Sequence, residues 1–467
     1  MTISNSGGDE YWSAPTPSGP VNATVLLPGS KSQTSRAFVI GTIAQRPTKI
    51  SGALASRDTY LAAKAMVTLG AEFVFEDDPR SLTIMPASRL RGGSTIDCGQ
   101  AGTVMRFGSA LAAFADGKTT LVCDPSAESR PITPLMDSLK ALGARVKYGK
   151  RKGFLPVTIT GIPARKKKAT STTGDGSDQV GIDTSSSSQY LSALLLASPL
   201  ISKPTVLRAE GRLPSWPYVA MSLDMLAEQG VDVRRTSSWS WKTDPTRPAG
   251  NPIQIEPDLA NAGPFLAAAL LCGGTVTIED WPAHTDQVGK YWVELLPQFG
   301  ATVALSAQGL TASAPPGLTW PGLDLDMGAY GELAPTVAAL CVFATSPSTL
   351  RGIGHLRGHE TDRLEAMATE IRRLGADARV MHDGIHIIPA PTHGVDIETY
   401  EDHRMATFGA IVGLRTPGCK VANIGTTAKT LPMFTARWHA MLQGADSPST
   451  LTMAEVFANP ALISGAE

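Results

Sequence analysis

The chain has 467 residues, of which 42% are hydrophobic and 18% are charged, and its formal net charge is −1. At about 150 residues per domain, this length predicts two to four domains with large buried cores. The balanced charge gives no reason to expect nucleic acid or an anionic membrane surface as a partner, so a cationic site must be local.

The N-terminal segment and the cysteines indicate a cytoplasmic protein. Residues 1–20 are polar and acidic and lack the apolar core of a signal peptide. The five cysteines are scattered and lack CxxC spacing, which predicts reduced, mostly buried thiols. Because no apolar run approaches about 18 residues, we expect no membrane-spanning helix.

An early stretch, LPGSKSQTSRAFVIGTIA, joins a Gly-Ser-Lys-Ser turn to an apolar helix. A phosphate-binding P-loop needs Gly directly before the Lys and a second Gly five residues before that one. Ser30 and Val25 stand at those places, which argues against a P-loop kinase. Ser32 and Arg36, spaced i, i+4, share a helix face beside Lys31, and this cationic helix start favours an anionic ligand.

Two kinds of segment alternate along the chain. The first is a helix-like segment that continues through a glycine into a strand-like run, at Gly70, Gly143, Gly230, Gly300 and Gly375. Each glycine stands where a left-handed helix C-cap is expected. The second is a helix of small residues with a polar start, which occurs six times. The glycine spacings of 70 to 87 residues predict six supersecondary modules in two domains of three, with the boundary within residues 251–263.

Three further polar helix starts follow in the first half of the chain. CGQAGTVMRFG offers backbone access at Gly102 and a cation at Arg106, although a tight turn before a packed helix would look the same. ESRPITPL places Arg130 just before a helix that begins with Pro. SSSSQY could be a low-complexity linker, but an apolar helix follows it at once, which favours a functional helix start with Gln189.

The last modules carry the densest polar motifs. They are HLRGHETDRLEA, YEDHRMATFGA and TTAKTLP, which contain His359, Glu360, Arg363, His403, Arg404 and Lys429. His355 and His359, spaced i, i+4, could bind zinc in principle. Arg357 and Arg363 beside them would repel a metal cation, and HETDR is not the HExxH pattern, so we expect no metal site.

Seven cations therefore stand at helix starts in both halves of the chain: Lys31, Arg36, Arg106, Arg130, Arg363, Arg404 and Lys429. This number is too large for one monoanion. It suits two substrates that carry phosphates and carboxylates, which Arg binds in bidentate fashion, with two domains closing around them. The basic run within residues 165–179 is interpreted as a solvated loop rather than a nucleic-acid patch.

Seven motifs together resemble a known family. LPGSKSQTSRA, GQAGTVMR, SRPI, SSSSQY, HETDRL, EDHRMA and TAKTLP occur in the order found in 5-enolpyruvylshikimate-3-phosphate (EPSP) synthases, over residues 20–440 or so. The resemblance implies an α/β fold, a two-domain inside-out α/β barrel (the enolpyruvyl transferase fold), with three βαβαββ units in each domain. It also implies that residues 1–28 join residues 257–467 in one domain, that residues 29–256 form the other, and that the active site lies in the cleft between them.

The resemblance also implies a reaction. The enolpyruvyl group of phosphoenolpyruvate is transferred to the 5-hydroxyl of shikimate 3-phosphate, and phosphate is released, by addition and elimination through a tetrahedral intermediate. This step belongs to the shikimate pathway, which leads to chorismate and the aromatic amino acids. The implied partners are these two substrates and the inhibitor glyphosate; a monomer, no organic cofactor, no metal and no covalent enzyme adduct are expected.

Residue by residue, the resemblance implies these roles. Lys31 contacts both substrates, and shikimate 3-phosphate is further held by Ser32, Arg36, Ser187, Ser188, Gln189, Ser215, Tyr218, Glu332 and His359. Phosphoenolpyruvate is held by Gly102, Arg130, Gln189, Arg363, Arg404 and Lys429. Glu332 acts as the base, Lys31 and Glu360 are alternative proton donors to the methylene carbon, and His403 assists.

Three positions depart from the family pattern without removing a required group. Glu332 stands where many members have Asp, His359 where many have Lys, and Phe107 where many have Pro. His359 is expected to make one shikimate contact sensitive to pH. The surrounding cations are expected to lower the pKa of Glu332, which then acts through its position more than its basicity. Gly102 is retained, and an Ala there would crowd the phosphoenolpyruvate site.

Two alternatives stay open from the sequence. UDP-N-acetylglucosamine enolpyruvyl transferase shares the fold, but it has Asn where this chain has Ser32, and it uses a loop Cys whose motif is absent around Cys98 and Cys123. A catalytically silent anion-binding scaffold is the alternative of another class. The presence of Glu360 and Lys429 together with Glu332 argues against it, since binding anions alone needs no carboxylates.

Overall fold

The computed structural model describes residues 11–78, 80–162, 171–172 and 176–463. Residues 1–10 of the predicted N-terminal segment therefore lie outside the described residues. So do residues 165–170 and 173–175 of the predicted basic loop.

The strands are short and are numbered in chain order. They are β1 Tyr11–Ser13, β2 Val21–Val25, β3 Thr48–Ser51, β4 Glu72–Phe75, β5 Ser81–Met85, β6 Thr95–Asp97, β7 Lys118–Val122, β8 Arg145–Tyr148, β9 Val157–Thr160, β10 Ser171–Thr172, β11 Asp178–Asp183, β12 Thr205–Glu210, β13 Val233–Ser237, β14 Ser240–Thr243, β15 Ile253–Gln254, β16 Gly274–Ile278, β17 Thr302–Ser306, β18 Gly309–Ala314, β19 Asp324–Asp326, β20 Ser348–Arg351, β21 Asp377–Met381, β22 Gly384–Ile388, β23 Asp396–Ile397 and β24 Lys420–Ala422.

The α-helices lie between these strands. They are α1 Lys31–Ile43, α2 Arg57–Thr68, α3 Ser109–Ala112, α4 Thr133–Ala141, α5 Gln189–Ala197, α6 Trp216–Glu228, α7 Gly263–Cys272, α8 Trp292–Gln298, α9 Ala334–Val342, α10 Arg363–Arg373, α11 His403–Gly413, α12 Phe434–Gln443 and α13 Met453–Ala458. A π-helical turn, Val104–Gly108, leads into α3. Short 3₁₀ helices are Pro125–Ala127, Ser198–Leu200, Leu259–Ala262, Val288–Tyr291, Gly331–Leu333, Gly354–Gly358, Ile424–Lys429 and Pro460–Ile463.

The described strands form six sheets, five of which combine a parallel pair with an antiparallel hairpin, whereas the sheet β1-β24-β23 adds a single antiparallel strand to its parallel pair. In the sheet β6-β7-β9-β8, β6 pairs with β7 in parallel, and β9 pairs with both β7 and β8 in antiparallel fashion. The sheet β19-β20-β22-β21 repeats this arrangement. In these two units a helix connects the parallel strands and a hairpin adds the antiparallel pair, which gives the order βαβαββ. The predicted six modules are thereby confirmed.

The glycine caps are also confirmed. Gly70, Gly143, Gly230, Gly300 and Gly375 all have φ between +73° and +110° and each follows a helix. This left-handed conformation ends the helix and turns the chain into the next strand at little steric cost, because glycine has no Cβ.

Two strands pair far from their neighbours in sequence. β2, near the N-terminus, pairs in parallel with β16, whereas β15 pairs in parallel with β3. The two connecting segments lie side by side, since Gly29 forms a bridge with Pro257 and the Ser30 amide donates to the Glu256 carbonyl over 2.8 Å. The chain therefore passes twice, at one place, between the two halves of the molecule. The first half is built around the core within residues 37–255, and the second half around the core that contains residues 259–441.

Two hydrophobic cores flank this crossing. The first contains buried residues from Ala37 to Ile255, and the second contains Ala14 to Leu27 together with residues from Leu259 to Met441. The terminal helix α13 packs on the first core through Met453 and Val456. α7, α9 and α11 are buried along almost their whole length, because Ala, Gly and other small residues let them approach closely. In the described part of the chain, no helix is long and apolar enough to cross a membrane.

We predict that Gly29→Ala destabilises the protein by about 1–3 kcal/mol or more. A Cβ at this position would lie 2.0 Å from the backbone carbonyl oxygen of Gly52, which cannot move without shifting the crossing. Gly19→Ala is the matched control, since its Cβ would have no neighbour within 4 Å. Urea unfolding of both variants checks this, and equal unfolding midpoints would contradict it.

Candidate active site

A cavity of about 1240 Å³, including the part open to solvent, lies between the two halves. It brings together nearly all of the predicted site residues, namely Lys31, Ser32, Arg36, Gly102, Arg130, Ser187, Ser188, Gln189, Ser215, Tyr218, Glu332, His359, Glu360, Arg363, His403 and Arg404. Arg106 lines it as well. Lys429 is the predicted residue that does not line this cavity.

Arg36 lies in α1 and is 1% exposed. Its Nε donates to Ser222 Oγ over 2.8 Å, and its terminal nitrogens donate to the carbonyls of Ser32 and Tyr218 over 2.8 and 2.7 Å. These partners are neutral, so burial lowers the pKa of Arg36 to about 10. The cation is thus held in place without a compensating carboxylate.

Lys31 begins the same helix, which Ser30 caps by accepting from the Gln33 amide. The Lys31 ammonium contacts Asp58 Oδ2 at 3.2 Å. Burial lowers the pKa of Lys31, but the carboxylates of Asp58, Glu360 and Glu332 outweigh burial and leave that pKa above its ordinary value. Lys31 is therefore a cation at neutral pH.

The region around Gly102 brings a backbone turn, two arginines and an amide together. A Cβ on Gly102 would lie 2.8 Å from Arg130 NH2, 3.0 Å from Arg106 NH1 and 3.1 Å from Gln189 Oε1. Arg130 donates to the Gln100 carbonyl over 2.7 Å, but its Nε and Gln189 Oε1 are buried with no hydrogen-bond partner in the described residues. Buried polar atoms normally have partners, so these atoms point to a polar ligand.

Arg363, the first residue of α10, is surrounded by carboxylates. Its Nε contacts Asp402 at 2.7 Å, and its terminal nitrogens contact Glu332 at 3.0 Å and Glu360 at 2.9 Å. The pKa of Arg363 is lowered by burial but raised much more by these carboxylates, so it stands well above the ordinary value. The terminal nitrogen that contacts Glu332 also lies 3.1 Å from His359 Nδ1.

Glu332 lies in the 3₁₀ turn before α9, between Arg363 and His359. Burial raises its pKa, but the charges of Arg363, His359 and Arg404 outweigh burial and hold the pKa of Glu332 at about 2, in the predicted direction. Burial lowers the pKa of His359 to about 4. The pH sensitivity expected for His359 therefore falls well below neutral pH rather than near it.

Asp402 organises the start of α11. Its side chain caps the helix by accepting from the Arg404 amide over 2.7 Å while it binds Arg363. Arg404 donates to the Ala260 carbonyl over 2.9 Å, and its Nε has no hydrogen-bond partner in the part of the chain that the structure describes. His403 is buried, and burial together with Lys31 and Arg404 holds its pKa well below the ordinary value.

Lys429 lies beside the cavity rather than in its wall. Its ammonium donates to the side-chain oxygen of Gln100 and to the backbone carbonyl of Glu401. Burial lowers the pKa of Lys429, although the carboxylates of Glu360 and others oppose this.

Sequence reasoning missed the carboxylates that hold the cations. Asp58, Asp258 and the role of Asp402 as a partner of Arg363 were not predicted; Asp258 lines the cavity and accepts from the Lys31 amide over 3.2 Å. Each stands in the first turn of a helix or just before one, which is a signal that caps also produce. In the described residues, no group of His, Cys, Asp and Glu could hold a metal ion.

A protein-family model, that of EPSP synthase (3-phosphoshikimate 1-carboxyvinyltransferase), matches residues 15–438 of this chain. The chain belongs to the EPSP synthase family. It is similar to the 3-phosphoshikimate 1-carboxyvinyltransferase of Kocuria rhizophila, with 47% identity over 448 residues, which cover 94% of this chain and 98% of that protein. The protein of the same name from Bifidobacterium longum is 42% identical, with 92% and 98% covered.

Two solved structures have a fold similar to that of this chain, and one of them is an EPSP synthase. EPSP synthase from Acinetobacter baumannii has a TM-score of 0.72 at 23% identity and covers 95% of this chain and 98% of its own. The enolpyruvyl transferase NikO from Streptomyces tendae has a TM-score of 0.71 at 18% identity, with 94% and 98% covered. The predicted enolpyruvyl transferase fold is confirmed.

The positions of the cysteines argue against the alternative from the sequence, a UDP-N-acetylglucosamine enolpyruvyl transferase with a loop Cys. None of Cys98, Cys123, Cys272, Cys341 and Cys419, all of which are described, lines the cavity. Burial raises the pKa of Cys123 to about 11, which leaves its thiol protonated at neutral pH. A mechanism with a reactive loop cysteine therefore finds no support here.

We predict that Glu332 contributes to the acid sensitivity of the fold. Its folded pKa of about 2 lies below the ordinary 4.5, so its stabilising contribution is complete above pH 4.5 and is lost as the pH falls toward 2. Between pH 6 and pH 3.5 the free energy of unfolding of the wild type should fall by about 1–1.5 kcal/mol more than that of Glu332→Gln. Urea unfolding at both pH values measures this difference.

The matched control for the acid experiment is Glu72→Gln. Glu72 is exposed on β4 and does not line the cavity. Its variant should lose stability in parallel with the wild type. Equal losses for wild type and Glu332→Gln would show that Arg363 does not hold the Glu332 pKa low.

Proposed function

We propose that this chain transfers the enolpyruvyl group of phosphoenolpyruvate to the 5-hydroxyl of shikimate 3-phosphate and releases phosphate. Membership of the EPSP synthase family supports the reaction, because named relatives match almost the whole chain. One observation carries the assignment to this cavity: helix starts from both halves direct six cations and Glu332 toward one space between them, with Lys429 beside it.

The proposed chemistry proceeds in two balanced steps. The 5-hydroxyl oxygen adds to C2 of phosphoenolpyruvate, its proton passes to a base, and C3 receives a proton to become a methyl group. The tetrahedral intermediate then expels phosphate from C2 while C3 loses a proton, which forms the new enol ether. Cations near the leaving phosphate stabilise the charge that develops on it. No metal or organic cofactor is needed for either step.

The side of the cavity formed by the first half is proposed to bind shikimate 3-phosphate. Arg36 and Ser32 are assigned to the carboxylate, and Ser187, Ser188 and Ser215 to the phosphate and ring oxygens. Gln189, Tyr218, Glu332 and His359 complete this side, where His359 is neutral at working pH because its pKa is about 4. A neutral imidazole offers a hydrogen bond in place of a charge.

Phosphoenolpyruvate is proposed to bind on the other side, at Gly102, Arg130, Gln189, Arg363, Arg404 and Lys429. Arg130 and Arg404 each retain a buried Nε without a hydrogen-bond partner in the described residues, which suits an incoming anion. Arg363 already donates to three carboxylates. Its binding to an anion would therefore displace Glu332 or Glu360 from its nitrogens.

Proton transfer is proposed to use Glu332 and Lys31. With a pKa of about 2, Glu332 is an anion at working pH and accepts the hydroxyl proton by its position rather than by basicity. Arg363 holds the pKa of Glu360 well below its ordinary value although burial opposes it, so Glu360 is also an anion. Lys31 is protonated, which favours Lys31 as the donor to the methylene carbon. His403 is proposed to assist.

The domain organisation is part of the proposal. Residues 29–256 are assigned to the shikimate 3-phosphate domain, and residues 1–28 with 257–467 to the other. The pairing of β2 with β16 and of β15 with β3 supports this division, although α13 packs on the first core. We also propose that the protein works as a cytoplasmic monomer.

The reaction predicts phosphate release from phosphoenolpyruvate only when shikimate 3-phosphate is the acceptor. Glu332→Gln should lower kcat about 10²–10⁴-fold, because the base is removed while its shape is kept. Glu72→Gln should keep wild-type kcat. Release with UDP-N-acetylglucosamine would support the rival transferase, and release with neither acceptor would support a binding scaffold.

Inhibition by glyphosate is predicted, and Gly102→Ala should weaken it about tenfold or more while raising KM for phosphoenolpyruvate. The added Cβ would displace Arg130 NH2, which ends a flexible side chain, so the variant still folds. Gly108→Ala is the matched control, because its nearest neighbour is 3.7 Å away. A wild type that requires millimolar glyphosate for inhibition would contradict this prediction.

A further inference from the structure

Gln100 makes contacts on both sides of the cavity. It stands two residues before Gly102, in the first half of the molecule. Its Nε2 donates to Ser126 Oγ and to Glu401 Oε2, both over 2.8 Å, and its Oε1 accepts from the Lys429 ammonium. Glu401 and Lys429 belong to the second half, so one amide joins the two halves beside the cavity.

The backbone around Glu401 is unusual. Tyr400 and Glu401 both have φ of +54°, which non-glycine residues rarely adopt. Strain of this kind persists only when surrounding contacts hold it, and it clusters at functional sites. The contacts are present: Tyr400 Oη donates to the buried Glu370 of α10 over 2.7 Å, and the Glu401 carbonyl accepts from Lys429 over 2.5 Å.

This conformation has a direct structural consequence. It directs the Glu401 side chain toward Gln100 and its carbonyl toward Lys429, one residue before Asp402 begins the cationic start of α11. The contacts also connect α10, which begins with Arg363, to α11. Lys429 is thereby held beside the cavity by Gln100 and by the Glu401 carbonyl.

We propose that Gln100, Glu401 and Lys429, here called the Gln100 bridge, form a positioning device that closes the two halves and sets the Lys429 ammonium for phosphoenolpyruvate. Gln100 and Glu401 are positioning residues, since they act through Lys429. This inference rests on the proposed function, because it takes Lys429 to be part of the phosphoenolpyruvate site.

The bridge should affect the two substrates differently. The shikimate 3-phosphate side is built mostly from the starts of α1, α5 and α6, and its residues from the second half, Glu332 and His359, bond to Arg363 rather than to the bridge. The Glu401 side chain orients Gln100, and the Gln100 side-chain oxygen together with the Glu401 backbone carbonyl orients the Lys429 ammonium when the halves are closed. Losing the bridge should therefore raise KM for phosphoenolpyruvate and leave shikimate 3-phosphate binding unchanged.

A double-mutant cycle with Gln100→Ala, Glu401→Ala and the double variant tests the bridge. Each single variant should raise KM for phosphoenolpyruvate about five- to twentyfold, as expected for a hydrogen bond to a charged group. The double variant should raise it no further, because both substitutions break one unit. The dissociation constant of shikimate 3-phosphate, measured by calorimetry without phosphoenolpyruvate, should stay within about twofold of wild type.

Two further variants separate positioning from general damage. Glu401→Gln keeps an oxygen that accepts from Gln100, so its KM should stay near that of wild type. Gln100→Asn is one methylene shorter and cannot reach both partners, so it should behave like Gln100→Ala. Gln308→Ala, at an exposed position on a turn, controls for losing a glutamine side chain.

The outcomes are distinguishable. A wild type that releases no phosphate would overturn the proposed function itself. An active wild type whose single variants keep their KM would overturn the bridge. The bridge would also be overturned if the effects of the two substitutions on KM multiplied in the double variant, or if the affinities for both substrates fell equally. A substrate-selective, non-additive rise with preserved Glu401→Gln activity would support it.

Discussion

The buried ion pair between Arg363 and Asp402 is the interaction on which the active site depends. A guanidinium with 0% exposure is tolerated in a protein only when hydrogen-bond partners, which for Arg363 are carboxylates, replace the water it has lost. Asp402 meets this requirement at 2.7 Å and at the same time caps α11, while Arg363 itself begins α10. One interaction thus fixes two helix starts relative to each other, and with them the positions of Glu360, His403 and Arg404.

Charge is distributed unequally across the cavity, and this asymmetry indicates where an anionic ligand would bind most favourably. Arg363 and Lys31 have carboxylate partners, which also hold Glu332 and Glu360 in their ionised forms. Arg36, Arg106 and Arg130 make hydrogen bonds to neutral groups, and among the described residues they form no ion pair. Their positive potential is therefore uncompensated. An anion bound beside them would supply the missing charge, whereas an anion at Arg363 must compete with carboxylates already present.

The chain topology makes a cavity between two halves possible. The strands β2 and β15 each complete a sheet in the half that is remote in sequence, so two adjacent segments connect the halves at Gly29 and Pro257. A double connection restricts relative motion to a narrow set of directions but does not cover the cavity. The contacts of Gln100 with Glu401 and Lys429 join the two halves at a second place, beside the cavity.

By itself, the sequence determined the repeating unit, the glycine caps, the polar helix starts and the cations that they carry. These features are local: a glycine at a helix C-terminus and a cation beside an N-terminus act within one or two turns. Only the tertiary structure decided which carboxylates neutralise which cations, since Asp58, Asp258 and Asp402 reach their partners across long distances in sequence. It also decided that His359 is neutral and that Lys429 is held by Gln100 and Glu401. Burial and the distance between charges determine these properties, and both quantities exist only once the chain is folded.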